Sequence, residues 1–154
     1  MFKEMRRKNK QLTMDETFEL LENCEYGVLS TVGENGYSYG VPLDYAYKDN
    51  CIYFHCATEG HKLENIEFNN NVSFCVVNNV EQIPDDFNTK YRSVIAFGKA
   101  EEVFQDEKRK ALILLLEKYS KDFMESGAKY MESMWDKTKV VKIKIHHMTA
   151  KGKK

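Results

Sequence analysis

A glycine, a histidine and a lysine at the start of a predicted helix form the part of this sequence with the clearest chemistry. Gly60, His61 and Lys62 follow a short apolar strand that ends in His55 and Cys56. The first turn of a helix has free N–H groups with partial positive charge, and a preceding glycine lets an anion approach the backbone. The lysine adds a full charge. These residues predict a site for a cofactor with one phosphate and a flat apolar part.

Two other kinds of site use the same residue types. Imidazole and thiolate are zinc ligands, but His55 and Cys56 point to opposite faces of a strand. The chain also has no CxxC or HxxxH pair that would supply two ligands together. A helix N-terminus lowers the pKa of a nearby thiol, so Cys56 with His55 or His61 is an alternative nucleophilic site. We favour the phosphate-bearing small molecule over zinc.

The composition indicates a single globular domain covering residues 1–154. The 23 Lys and Arg nearly balance the 24 Asp and Glu, so the basic footprint of a nucleic-acid-binding protein is missing. No apolar run approaches the roughly 20 residues that span a bilayer, and the N-terminus is too polar for a signal peptide. We therefore predict a cytoplasmic protein with no nucleic-acid or membrane partner.

The cysteines and the basic ends have ordinary structural interpretations. Free cysteine often behaves as a small buried hydrophobe, so we predict reduced, buried thiols. The basic ends, residues 3–10 and 151–154, are predicted to be solvated tails. The four cysteines are Cys24, Cys51, Cys56 and Cys75.

Capping residues and apolar periodicity predict the helices. Thr13 and Glu16 have the spacing of a capping box, which predicts a helix over about 13–23. Leu112, Leu115 and Leu116 lie on one face of a predicted helix at 106–119. Shorter helices are predicted at 61–70 and 130–135.

Apolar and β-branched runs predict six strands, and their turns predict the topology. Turn residues join the first three strands as an antiparallel meander, and the polar segment 78–90 is predicted to be a surface loop. Gly98 is predicted to mark a bulge in the fifth strand. Because no strand-helix-strand crossover repeats, the pattern favours a small antiparallel barrel with added helices. The predicted strands are 26–32, 37–47, 51–55, 72–77, 91–104 and 141–145.

Three motifs within residues 26–103 resemble the flavin-binding split-barrel family related to pyridoxamine 5'-phosphate oxidase. Their order and spacing look closest to the nitroimidazole-resistance (Nim) branch. The motifs are Gly40-Val41-Pro42-Leu43, then Phe54-His55-Cys56-Ala57 with Gly60-His61-Lys62, then Tyr91-Arg92-Ser93-Val94-Ile95-Ala96-Phe97-Gly98-Lys99-Ala100-Glu101.

The resemblance implies a fold, a cofactor and an assembly. The fold is a mainly β six-stranded antiparallel Greek-key split barrel with appended α-helices, and two such chains form a homodimer with shared FMN sites. By motif, His61 and Lys62 would hold the phosphate, and Ser93 would reach the flavin from the partner chain. His55 and Cys56 would lie under the ring. The backbone beside the ring would be that of Tyr39, Gly40, Val41, Pro42 and Leu43.

The resemblance also implies an activity on a small-molecule substrate. Nim-like proteins are proposed to reduce a nitro group with the flavin, and His55 is the candidate catalytic residue because an imidazole near pH 7 can deliver a proton. The oxidase that names the family has an arginine before its phosphate-binding lysine, where this chain has His61. Its carboxy-terminal tryptophan-and-arginine pattern is also absent. Pyridoxamine phosphate oxidation is therefore not expected.

Two other functions share the predicted barrel. One is a non-catalytic carrier or sensor that binds flavin or haem, and the other is a deazaflavin-dependent reductase. A fold used by several activities does not choose among them, so both stay open at this point.

Overall fold

The computed structural model describes residues 1–152 as one seven-stranded antiparallel sheet with four α-helices. Short 3₁₀ turns lie at Lys8–Lys10, Pro84–Asp86, Lys121–Phe123 and Trp135–Lys137. The elements are α1 (Met14–Asn23), β1 (Gly27–Val32), β2 (Ser38–Leu43), β3 (Ala46–Lys48), β4 (Cys51–Cys56), α2 (His61–Phe68), β5 (Asn71–Ile83), β6 (Asn88–Val103), α3 (Gln105–Tyr119), α4 (Met124–Ser133) and β7 (Lys139–Gly152).

Helix α1 begins where the capping box predicted. The Thr13 hydroxyl accepts a hydrogen bond from the Glu16 N–H at 3.2 Å, and the Thr13 N–H donates to the Glu16 carboxylate at 3.1 Å. The helix buries Leu20 and Leu21 against the sheet. Reciprocal capping satisfies two N–H groups that the helix itself leaves without partners.

The prediction of one strand over residues 37–47 is wrong, because the chain forms β2 and β3 there. Tyr45, between them, is completely buried, and its hydroxyl donates to the Leu21 carbonyl. Its N–H donates to the Tyr119 hydroxyl at 3.1 Å instead of to a neighbouring strand. These two hydrogen bonds hold Tyr45 outside the sheet ladders, so the chain leaves the sheet after β2 and pairs again as β3 at another position.

The sheet order is β2-β1-β5-β6-β7-β4-β3, so the two halves of the predicted second strand lie at opposite edges. The three-strand meander is therefore wrong: β1 and β2 form one hairpin, β3 and β4 form another, and β4 pairs with β7. The predicted six-stranded split barrel has seven strands in one antiparallel sheet, and no hydrogen-bonded ladder joins β2 to β3 among the described residues.

The predicted surface loop at 78–90 is also wrong, because β5 and β6 continue through it as a long hairpin. Glu81 pairs with Lys90, and Ile83 pairs with Asn88, around the Pro84–Asp86 turn. The register shifts between Asn78 and Glu81. Most side chains of this arm are exposed on both faces, so the segment lacks the apolar alternation that identifies a half-buried strand.

Gly98 marks a bulge, as the sequence predicted. The register between β6 and β7 shifts between Phe97 and Gly98. A methyl group added to Gly98 would overlap the Lys144 carbonyl oxygen of β7. Glycine therefore lets the two longest-paired strands approach each other at the bend.

We expect the Gly98→Ala substitution to lower the free energy of unfolding by about 1–3 kcal/mol, because the backbone has to move to accept the methyl group. The measurement is urea unfolding followed by circular dichroism. Gly40→Ala in β2 is the control, since a Cβ there would first meet a Val28 methyl at 3.4 Å, an ordinary contact. Equal loss of stability in both variants would contradict the proposed close approach.

The basic N-terminal segment, residues 3–10, is mostly exposed, as predicted, but residues on either side of it contact β7. Leu12 is buried, and its N–H donates to the Ala150 carbonyl at 2.9 Å. The Phe2 ring stacks on the His147 ring at a centroid distance of 4.9 Å. At the other end, Lys151 belongs to β7, and residues 153–154 lie outside the described residues.

Two buried apolar clusters hold the fold together. The larger one lies within the curved sheet under α1 and includes Phe54 and Phe74. The smaller one packs α3 against the outer side of β3, β4 and β7, through Leu112, Leu115 and Val140. Among residues 1–152, no helix has the length and apolar character to cross a bilayer.

The four cysteines are free thiols in this part of the chain. Cys24 is buried as predicted, whereas Cys51, Cys56 and Cys75 are half-buried.

Candidate functional site

The N-terminus of α2 is an open helix end. Gly60 precedes the helix with a φ of 155°, a value that favours glycine, and a Cβ there would meet no atom within 4 Å. Its carbonyl accepts the Glu64 N–H at 3.1 Å, and no side chain within residues 1–152 caps this end. The first-turn N–H groups therefore face open space, where they can bind an anion.

A buried amide fixes α2 against β1. The Asn65 side-chain N–H donates to the Thr31 hydroxyl at 3.0 Å, and both residues are almost fully buried. Gly33 lies so close to the Asn65 amide that an added methyl group would overlap it. The sequence analysis missed Asn65, because its partner is 34 positions away and a lone asparagine in a helix carries no pairing signal.

We expect Asn65→Ala to cost about 1–3 kcal/mol of stability, because it leaves the buried Thr31 hydroxyl without this partner. Urea unfolding measures the change. Asn69→Ala, which removes an exposed bond to the Asn71 N–H, is the control and should cost less. If the two variants are equally stable, the Asn65 bond does not hold α2 in place.

The structure brings together two of the predicted cofactor residues, Tyr39 and His61. Their rings stack with a centroid distance of 4.0 Å and an interplanar angle of 29°. Tyr39 lies on β2, which pairs with β1, while His61 lies on α2, which Asn65 holds on β1. The contact therefore depends on two separate elements packing on the same strand.

The other predicted residues of β2 lie along a sheet edge. Val41 and Leu43 pack against the main core, whereas Gly40 and Pro42 are exposed. Strand β2 has β1 on one side and no further strand in the hydrogen-bonded order on the other. An edge strand leaves backbone N–H and C=O groups unpaired, so the backbone here is accessible to a ligand.

His55 and Cys56 face opposite sides of β4, and the protein perturbs both groups. Desolvation lowers the pKa of His55, and the charge of Lys62 acts in the same direction, while Asp44 opposes it. Burial raises the pKa of the Cys56 thiol, although Lys62 and Lys139 pull it down. The raised pKa argues against the alternative in which Cys56 acts as a nucleophile.

Lys62 links these residues into one neighbourhood. Its charge influences both His55 and Cys56, and it follows His61 in the first turn of α2. Within residues 1–152, no group of three or more His, Cys, Asp or Glu side chains is placed to hold a metal ion.

Ser93 lies apart from this neighbourhood within one chain. It is on β6, which β1 and β5 separate from β2 and which β7 separates from β4. Ser93 pairs with Val77 of β5 and Lys151 of β7. A role for Ser93 at the same site would therefore need a second chain.

A cleft of about 270 Å³ opens beside His55. Asp44 and Thr138 share its polar end, and Leu116 and Met131 from α3 and α4 contribute to its apolar wall. The sequence pattern predicted a helix at 130–135 but gave no sign that this helix lines a cleft. The helices are joined by the Lys108 ammonium, which donates to the Trp135 carbonyl at 2.9 Å.

The sequence model of the pyridoxamine 5'-phosphate oxidase family matches residues 13–152. The chain belongs to this family. No protein of curated function matches the sequence.

Solved structures share the fold of this pyridoxamine 5'-phosphate oxidase family member at low sequence identity. A candidate 5-nitroimidazole antibiotic resistance protein from Bacteroides thetaiotaomicron is 24% identical, with a TM-score of 0.77 over 92% of this chain and 85% of that one. The conserved hypothetical protein Rv2991 from Mycobacterium tuberculosis is 19% identical, with a TM-score of 0.83 over 97% and 90%. The FAD and heme binding protein from Mycobacterium smegmatis is 17% identical, with a TM-score of 0.76 over 94% and 74%.

The two sides of α2 differ in charge, so that an anion is favoured on one side over the other. On one side, a cavity of about 410 Å³ is lined by four glutamates and a single lysine, Lys139. That side repels an anion. His61 and Lys62 are not part of this lining. The four glutamates are Glu59, Glu64, Glu67 and Glu102.

Proposed function

We propose that this chain is an FMN-binding flavoprotein that reduces a small nitroaromatic substrate. The observation that carries the proposal is the stack of Tyr39 on His61 at the open start of α2 beside an edge strand. Lys62 follows His61 in the same turn, and its charge acts on His55. These residues offer a phosphate site, an accessible backbone and an imidazole in one neighbourhood. Family membership and the flavin-binding neighbour in the fold comparison support the same cofactor class.

The phosphate of FMN would bind at the first turn of α2. Lys62 supplies a full positive charge, and the N–H groups of the open turn supply directed hydrogen bonds. Because glutamates line the opposite side of α2, the phosphate would approach from the side of Tyr39 and His61.

The flavin ring would lie against the edge strand β2 and beside the end of β4, where His55 and Cys56 lie on opposite faces of the strand. When bound, the flavin supplies the redox chemistry and the protein supplies position and electrostatics. The backbone of residues 40–43 is available for contacts with the ring because β2 is an edge strand. The proposed role of His55 is to deliver a proton to the substrate.

The homodimer would form through the outer face of β5 and β6. Ser93 shares this face with Val77, its direct partner, and with Ile95 and Phe97, which follow at alternate positions. The three apolar side chains are 46%, 43% and 37% exposed, respectively. Burying them between two chains would carry Ser93 towards the flavin of the partner.

Ile95→Asp should shift the protein from dimer to monomer, because it buries a charge in the proposed interface. Sedimentation velocity measures the assembly. Phe123→Asp is the control, since Phe123 is an exposed apolar residue on the helical side. A wild-type protein that sediments as a monomer would remove the shared-site arrangement.

The absorption spectrum of protein purified without added cofactor tests the proposal directly. Flavin absorbance, with FMN as the released compound, is the expected result. Release of FAD would show that the cofactor is FAD instead of FMN, and a Soret band would show that it is haem instead of a flavin. A colourless preparation that shows no thermal shift with FMN would overturn the proposal.

The rate of nitro reduction should rise as the pH falls through a value below the usual 6.5 of histidine. Desolvation and Lys62 lower the pKa of His55, so its proton-donating form is scarce at pH 7 and accumulates only in more acidic solution. Steady-state rates between pH 5 and 8 measure the profile. A profile that is flat, or that falls towards acid, would exclude His55 as the donor.

A further inference from the structure

The cleft beside His55 has an apolar body and a polar end. Helices α3 and α4 supply Leu112, Leu115, Leu116 and Met131, while His55 and Asp44 mark the end nearest β4. The cleft is outside the sheet core, because α3 packs on the outer side of β3, β4 and β7. His55 is therefore shared between this cleft and the proposed flavin site, and the rest of the cleft lies on the side of α3 and α4.

The close approach of the two helices sets the width of the cleft. Gly127 of α4 faces Leu116 of α3, and a Cβ on Gly127 would lie 2.7 Å from a Leu116 methyl carbon. The Arg109 guanidinium pairs with Glu132 of α4 and lies over the Trp135 ring. These contacts hold α4 on α3 and keep the apolar walls facing each other.

The volume fits one substituted aromatic ring. An apolar protein cavity of about 150 Å³ binds benzene, and this cleft holds about 270 Å³. The walls are leucine, methionine and tyrosine side chains, which favour a flat apolar ring. A two-ring or longer ligand would extend into solvent.

The polar end selects against a negative charge. Asp44 is the only carboxylate in the described lining, which holds no lysine or arginine. It would repel an anionic substituent, although Lys118 interacts with Asp44 from outside the lining. The Tyr119 hydroxyl, also in the lining, already bonds the backbone of Glu25 and Tyr45. His55, Thr138 and the hydroxyls of Ser120 and Tyr130 can meet a neutral polar substituent.

We infer that this cleft binds the ring of an uncharged monocyclic aromatic substrate and directs its polar substituent towards His55. The inference rests on the proposed function, since it names the substrate class of the same site. It adds a binding wall from α3 and α4 and a preference for neutral over anionic substrates.

Isothermal titration calorimetry with 4-nitrobenzyl alcohol and 4-nitrobenzoate tests the inference. We expect saturable binding of the alcohol and binding of the carboxylate at least about tenfold weaker. Met131→Trp should abolish binding of the alcohol by filling the cleft, while Ala128→Trp, at an exposed position of α4, should leave it unchanged. Equal affinity for the two probes, or full binding by Met131→Trp, would overturn the inference.

A second variant and a second titration keep the result interpretable. Circular dichroism checks that Met131→Trp is folded. If Met131→Trp is unfolded, Leu116→Phe replaces it as the test variant. Leu116→Phe should weaken binding of the alcohol by about tenfold, because the larger side chain narrows the same cleft. Titration of FMN into the same variants separates this inference from the proposed function. A variant that loses the nitrobenzyl alcohol but binds FMN normally supports the cleft as the substrate site. Binding of the alcohol by a wild-type protein that does not bind FMN would refute only the proposed flavin cofactor.

Discussion

Replacing His55 with glutamine should slow the reduction of a nitroaromatic by about 10²- to 10⁴-fold, the usual contribution of a positioned general acid. Glutamine keeps a polar side chain of similar reach and cannot deliver a proton. His55 lies at the polar end of the α3 and α4 cleft and within the influence of Lys62. It therefore lies between the proposed substrate ring and the proposed flavin.

Single-turnover kinetics after chemical reduction of the bound flavin would measure this effect, since they separate reduction of the substrate from cofactor loading. FMN affinity should change little, because the phosphate site is on α2. His146→Gln is the matched control: His146 is exposed on β7 and has no proposed role. Unchanged single-turnover rates in His55→Gln would remove its catalytic assignment, and a parallel loss of FMN binding would make it a cofactor residue instead.

The second large effect is expected at Lys62. Lys62→Ala should weaken FMN binding by about 10- to 100-fold, because a hydrogen bond to a charged group contributes about 1.5–3 kcal/mol. The first-turn N–H groups of α2 remain, so binding should not vanish. Quenching of flavin fluorescence on titration measures the affinity.

Riboflavin separates the phosphate contact from contacts to the ring, because it lacks the phosphate. Lys62→Ala should leave riboflavin affinity unchanged, and Lys62→Arg should restore most of the FMN affinity. Lys129→Ala is the control for charge alone, since Lys129 is an exposed lysine of α4. Equal losses of affinity for FMN and for riboflavin would show that Lys62 does not contact the phosphate.

Several elements were predictable because their causes are local. The capping box joins residues three positions apart, and the leucine periodicity of α3 repeats within one helix. The bulge at Gly98 followed from a glycine within an apolar run. In each case the determining groups lie within one element, where spacing alone indicates the geometry.

The two main errors had different causes. Tyr45 lies between β2 and β3, and its N–H bonds to Tyr119, which is 74 positions away, so the break in the strand depends on a distant partner. The β5 and β6 arm is held by local cross-strand pairing, including Thr89 with Gln82 at 2.9 Å. Its side chains are mostly polar and exposed, so its composition is that of a loop.

The sequence by itself determined the chemical character of the site: an anion-binding turn with a lysine, next to a strand that ends in a histidine. That much follows from residue types within eight positions, His55 to Lys62. Only the tertiary structure decided what surrounds them. It brought Tyr39 onto His61 through the docking of α2 on β1, separated Ser93 from both, and closed α3 and α4 into a cleft at His55. Such contacts depend on which surfaces become buried together, and burial is a property of the whole chain.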